Sequence, residues 1–162
     1  MEAAAPLVLP IYQAGRPLDV SLGTYDLVVT ERIGSLLGEL APRDLQRIPA
    51  RVESMEGRYE ALNILTRIDC VDPERTVAQV LVEGDPPHVK NGTLASLAPL
   101  LDPKKSLYSY VGPGHMRLKS AGIEGPRIFR AVGWDHWPIV TEDIKRALEA
   151  EGATGLAYRS VF

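Results

Sequence analysis

Two hydrophobic periods alternate along this chain, and together they predict a mixed α/β (α+β) fold. Ile33, Leu36, Leu37 and Leu40 stand at i, i+3, i+4 and i+7, one stripe of an amphipathic helix. Thr30 precedes the stripe as an N-cap whose hydroxyl can accept from the unpaired N–H groups of the first turn. Glu31 suits the positive end of the helix dipole, and Pro42 lies just past the helix end. Ile144, Ala147 and Leu148 form a second stripe, capped by Thr141, with Glu142 and Asp143 in the first turn. Glu142–Arg146 and Lys145–Glu149 are i,i+4 pairs, each contributing about 0.2–0.5 kcal/mol. Gly152 suits the position after the C-cap, where a left-handed residue ends the helix.

Period-two segments mark the strands. Residues 25–29 and 127–132 read as strands, and 48–53 as a strand with Pro49 at an edge. Residues 59–68 are the strongest central strand, with Leu62, Ile64 and Ile68 on one face and Ala61, Leu65 and Arg67 on the other. Residues 76–82 and 108–111 add two more, and 94–101 reads as a short helix or an extended apolar stretch. Residues 134–138 read as a loop before a short strand at 139–140, and alternation over 156–162 predicts a final strand. Gly112-Pro113-Gly114 and Gly122-Ile123-Glu124-Gly125 read as turns. Residues 1–24, broken by Pro6, Pro10 and Pro17, read as an extended arm with one short strand near 18–22. Residues 25–162 then form one domain: a mixed sheet, two short helices and long loops. The pattern Val29-Thr30-Glu31-Arg32-Ile33 returns as Val140-Thr141-Glu142-Asp143-Ile144. Either capped helices after strands converge on it, or two related β-α-β units share one sheet.

Length and composition narrow the class. A chain of 162 residues fits one domain and buries roughly 68–70% of its unfolded surface without disulfides or metal. A net charge of −3 provides no broad basic surface, so a nucleic-acid partner is not expected. The single cysteine, Cys70, cannot close an internal disulfide and fits a reducing compartment. The N-terminal segment lacks a basic stretch, and no apolar run approaches the ~20 residues of a membrane span. A cytoplasmic protein with no membrane partner is the expectation.

Reactive constellations are sparse. His88, His115 and His136 show no metal-ligand spacing, so neither metal nor cofactor is expected. Cys70 lies between Asp69 and Asp72, and carboxylates raise rather than lower a thiol pKa. Asp72-Pro73 opens a turn in which Asp72 bonds the backbone two residues on. No catalytic residue is assigned. Trp134 and Trp137 stand out instead, two tryptophans in one polar stretch with Asp135 and His136. Such residues either cover a core edge or anchor an interface. Arg127 and Arg130, beside a core strand, are read as internal ion-pair partners.

Several segments resemble one family. Leu27-Val28-Val29-Thr30-Glu31, Tyr59-Glu60-Ala61-Leu62-Asn63-Ile64-Leu65, Ile68-Asp69-Cys70-Val71-Asp72 and Glu74-Arg75 are similar to the first half of immunity-protein family eleven of bacterial polymorphic-toxin systems. Ile128-Phe129-Arg130, Ile139-Val140-Thr141-Glu142 and Gly152-Ala153-Thr154-Gly155-Leu156-Ala157-Tyr158 resemble its second half. The likeness spans about residues 25–162 and is poor over 76–125. It implies an α/β fold and a protein that binds and neutralises a cognate toxin encoded nearby. It supplies no active site. The toxin interface is then expected at Trp134, Trp137, Tyr108 and Tyr110, with Asp135 and Glu124 as charge partners. Two alternatives stand beside it. One is a small hydrolase that reverses a toxin's modification, using Asp69, Cys70 and one histidine. The other is a homodimeric regulatory or structural module joined through residues 94–101.

Overall fold

The computed structural model describes residues 7–9, 16–22, 27–53, 55–82, 86, 88–100, 106–110, 115–119, 121 and 123–162, with the backbone alone at 106–110, 135 and 136. Its strands are β1 (Leu7–Leu9), β2 (Val20–Leu22), β3 (Leu27–Thr30), β4 (Leu45–Val52), β5 (Tyr59–Ile64), β6 (Arg67–Ile68), β7 (Val77–Val82), β8 (His88–Thr93), β9 (Ser106–Tyr110), β10 (Ile128–Ala131) and β11 (Trp134–Val140). The helices are α1 (Glu31–Leu40), α2 (Leu94–Leu97), which runs on into a 3-10 turn, and α3 (Glu142–Ala150). The fold is mixed α+β, as the two periods predict. The chain divides into two compact units, Met1–Ile68 with Gly125–Ala157, and Asp69–Glu124 with Tyr158–Phe162. Sequence pattern draws no boundary inside residues 25–162, because a unit assembled from two separated segments leaves no linker to read.

The first unit is built on a five-stranded sheet in the order β1-β4-β5-β3-β2. β3 and β4 both pair antiparallel with β5, so they run parallel to each other on either side of it. Helix α1 makes the crossover between them, a β-α-β unit with a strand inserted. Alternation along β5 sends Leu62 and Ile64 into one core with Val29, Ile33 and Leu37. It sends Tyr59 and Ala61 to the opposite face, with Ala50 and the half-buried Val28, Ile48 and Val52. Leu62 and Ile33 have no exposed surface, and burying such side chains stabilises by about 1.5–3 kcal/mol each. β1 and β2, both from the proline-rich N-terminal segment, add parallel and antiparallel edges. Pro49 lies beyond the β1 pairing, which starts at Ala50, so its missing N–H breaks no bond to β1.

Helix α1 packs closely on this sheet through two glycines. Beneath it, Arg47 Nε and Nη2 donate to Glu60 Oε2 and Oε1, both at 2.8 Å, and Nη2 also reaches Ser35 Oγ at 3.0 Å. Glu60 is buried. A methyl on Gly34 would overlap Glu60 Oε2, and one on Gly38 would stand 2.8 Å from Arg47 Cδ. A planar, two-pronged guanidinium–carboxylate pair thus occupies the space that two alanines would need.

The long strand expected over 59–68 is two strands. β5 ends at Ile64, and β6 pairs in parallel with β10 in a second sheet, ordered β11-β10-β6. Leu65 N donates to Asp44 O and Arg130 N to Thr66 O, so the chain changes partners over these two residues. Asp44 secures the junction. Its buried carboxylate accepts from Arg127 N at 2.7 Å, Ile128 N at 3.2 Å and Thr66 Oγ1 at 3.3 Å. Ile128 of β10 joins Ile144 and Leu148 of α3 in the same core as α1.

Both threonine caps depart from the expected chemistry. Thr30 and Thr141 hold the extended N-cap conformation, yet neither hydroxyl accepts from its helix. Thr30 Oγ1 donates to Asp19 Oδ1 and Thr141 Oγ1 to Arg127 O. The hydroxyls tie each helix start to a neighbouring segment instead. The C-terminus of α3 follows expectation. Gly152, at φ 68°, donates to Glu149 O, and Ala153 donates to Leu148 O, the paired bonds of a Schellman motif. No strand follows. Residues 156–162 have no regular structure, and β3 and β11 lie in different sheets. The repeated Val-Thr-Glu pattern therefore marks two similar helix starts and one β-α-β crossover, not two on one sheet.

The second unit carries a three-stranded antiparallel sheet, β8-β7-β9. Ala78 and Val80 of β7 are buried. Residues 94–97 resolve as helix: Thr93 caps α2, its hydroxyl accepting from Ser96 N at 3.2 Å. Buried Thr76 locks the unit, donating to Arg117 O at 3.1 Å and accepting from Arg117 N at 3.0 Å. The expected turn at 112–114 and Gly122 lie outside the described residues.

Candidate functional site: the bulged edge strand β11

Residues 134–138, expected as a loop, belong to β11, which forms an edge of its sheet. Val132 and Gly133, the latter at φ 78°, turn the chain back so that Ala131 pairs with Trp134. The next pair is Phe129 with Ile139. Two steps along β10 therefore oppose five along β11, and the surplus residues lie in a wide bulge. Pro138 lies in this bulge, next to the point where pairing resumes at Ile139, a place in a sheet where proline is tolerated. The loop reading captured the irregularity and missed the strand on either side of it.

Within this bulge Trp137 is 39% exposed, a large indole held at the surface, while Trp134 is half-buried beside the hairpin turn. β10, next to it, is buried along its length. A rigid buried strand thus backs a strand that presents aromatic surface. Asp135 lies in the same bulge, and its side chain is outside the described residues, as is that of His136. Tyr108 and Tyr110 lie on β9 of the other unit, pairing with Leu81 and Gln79; their side chains too are outside the described residues. Glu124 is exposed and also belongs to that unit. Trp134, Asp135 and Trp137 therefore share one strand, and the other three residues share the second unit.

Two of the groups considered for chemistry, Cys70 and Asp72, have structural roles. Cys70 is 1% exposed, and burial, with Asp69 beside it, pushes its thiol above the ordinary value. Asp72 accepts from Glu74 N at 3.0 Å and Arg75 N at 3.3 Å, the turn role its sequence suggests. His88 and His115 are exposed. Among the described residues no group of three or more His, Cys, Asp or Glu is placed to hold a metal ion. No described helix is long and apolar enough to cross a membrane.

Sequence reasoning missed the polar clasps, whose partners are far apart in the chain. Asp19 accepts from Thr154 Oγ1 at 2.8 Å, Thr154 N at 3.1 Å and Arg32 Nη2 at 3.0 Å. Thr154 first, then Arg32 and Thr30, hold its carboxyl at about 2, below the usual 3.8. Arg32 also donates to Glu151, at 2.9 Å to its carbonyl and 2.5 Å to its carboxylate. Arg127 pairs with Asp143, at the surface rather than in the interior expected for it, and it donates to Leu40 O as well. Thr141 and then Arg127 hold the Asp143 carboxyl below its ordinary value. Arg130 is buried on β10 opposite Arg67 of β6. Compared with known proteins, the chain matches no family model and no curated protein.

Proposed function

We propose that this protein is a cytoplasmic immunity protein that binds and neutralises a cognate bacterial toxin, docking through the bulged edge of β11. The observation that carries the reading is the exposed Trp137 in a bulge backed by the buried strand β10. A standard interface buries roughly 1,600 Å² and concentrates its energy in a few aromatic or arginine anchors. The same reading is what the resemblance to immunity-protein family eleven implies. The employment of Asp19, Asp44 and Asp72 in hydrogen bonds from backbone N–H groups, and of Glu60 in its pair with Arg47, supports it.

The test is co-expression with the product of the adjacent gene, scoring growth rescue and co-purification. Rescue with a stable complex is the expected result. Rescue without any complex would point to catalytic reversal, and no rescue would reject the immunity role.

A further inference from the structure

We infer that residues 153–155 act as a built-in guard on the outer edge of β2, and that this edge, once uncovered, pairs with the same edge of a second copy of the chain. β2 is the last strand of its sheet, so one row of its backbone groups faces away from β3. The Schellman motif after α3 delivers Thr154 and Gly155 onto that row. Val20 N donates to Thr154 O at 3.1 Å, and Asp19 N donates to Thr154 Oγ1 at 3.0 Å. The Asp19 carboxylate accepts from the Thr154 backbone and hydroxyl in return. Gly155, at φ 88°, lies so close that a methyl group there would overlap the Val20 carbonyl oxygen and stand 3.0 Å from Leu18 Cβ.

The residues of β2 explain why a guard is needed. Sheet edges avoid pairing with other chains through short length, charge, proline, bulges or a covering segment, and of these β2 has only its three-residue length and its cover. β8 carries Lys90 along its length, and β11 carries a bulge and Pro138. β2 reads Val20-Ser21-Leu22, with no charge, no proline and Leu22 55% exposed. Alternation in an antiparallel ladder turns the backbone groups of Val20 and Leu22 to the same side. Two such edges meet antiparallel about a twofold axis through Ser21, and no like charges oppose each other. The occupant that fits is therefore an identical strand. The covering segment supplies the protection that the β2 side chains lack.

The test is the Gly155→Val variant of the full chain, followed by light scattering over a hundredfold range of concentration. Its mass is expected to rise toward twice the wild-type value as concentration rises. Adding Leu22→Lys places a charge on the uncovered edge and is expected to restore the wild-type mass. A folded Gly155→Val protein that keeps the wild-type mass throughout would overturn the inference. Association that Leu22→Lys does not reverse would overturn it too, because another surface would then be responsible. Should Gly155→Val fail to fold, Asp19→Asn with Thr154→Val removes the clasp without steric conflict, and the same two outcomes decide.

Discussion

Replacing Gly34 with alanine should destabilise the protein, although the same change in most helices stabilises it. In a helix interior exposed to solvent, glycine to alanine gains about 1 kcal/mol from propensity. Here the new methyl would overlap Glu60 Oε2 and stand 2.9 Å from Glu60 Cδ. The carboxylate cannot yield freely, since Arg47 holds both its oxygens at 2.8 Å. Breaking a fully buried ion pair costs about 3–5 kcal/mol. The Arg47 side chain is 36% exposed and that of Glu60 12%, so solvent reduces the figure to about 2–3 kcal/mol. Relieving the overlap by lifting the helix costs about 1–3 kcal/mol in lost packing. The cheaper of the two routes is taken, and the helix gain offsets part of it. A net loss of up to about 2 kcal/mol follows, or a melting temperature lower by up to roughly 8 °C at this chain length. Urea denaturation would read the change as a lower midpoint at unchanged slope. Glu60→Ala creates room for the methyl, so Gly34→Ala in that background should be neutral or stabilising. An equal loss in both backgrounds, or a stabilised Gly34→Ala single variant, would refute the proposed conflict.

Three further outcomes follow from the polar clasps and the thiol. Asp19, held at about 2 against 3.8 for the free group, contributes stability that is complete above about pH 4 and lost as pH falls toward 2. The shift corresponds to about 2 kcal/mol before screening and nearer 1 after it, and Asp19→Asn should remove that acid-side loss from urea midpoints measured between pH 2 and 6. Asp44→Ala leaves Arg127 N and Ile128 N without their carboxylate acceptor and should cost about 2–4 kcal/mol in urea unfolding; Asp44→Asn, which keeps one acceptor oxygen, should cost less. Cys70 should react with a thiol-specific disulfide reagent far more slowly in the native protein than in urea, with the native rate rising as pH rises, because the thiol is buried and its pKa is raised. Fast native labelling at neutral pH would show that Cys70 is reachable.

The parts legible in the sequence are those governed by local period. The stripes of α1 and α3 lie where Ile33, Leu37, Ile144 and Leu148 place them, and all four are buried. β5 is central because Leu62 and Ile64 bring apolar side chains to one of its faces and Tyr59 and Ala61 to the other. The parts that were not legible depend on distant partners. The alternation of residues 59–68 continues in the sequence without a break through the change of sheet, and only the pairing of β6 with β10 reveals the change. Thr30 has the residue type of a capping hydroxyl, and Asp19, eleven residues earlier, takes that hydroxyl instead. The alternation of Leu156, Tyr158, Ser160 and Phe162 predicts a strand, yet Leu118 N bonding Val161 O creates no regular ladder among the described residues. At the candidate site, the paired tryptophans and Pro138 marked an irregular surface segment. Its place on an edge strand emerged only from the register against β10.

Calorimetric titration of the purified adjacent-gene product into wild-type protein, and into the Trp134→Ala/Trp137→Ala variant, tests the docking claim most directly. One-to-one binding by the wild type is expected, with an affinity at least a hundredfold weaker in a variant whose melting temperature is little changed; two tryptophan anchors are each worth about 2 kcal/mol or more. Equal affinity in a folded variant, or no heat of binding to the wild type, would contradict the account.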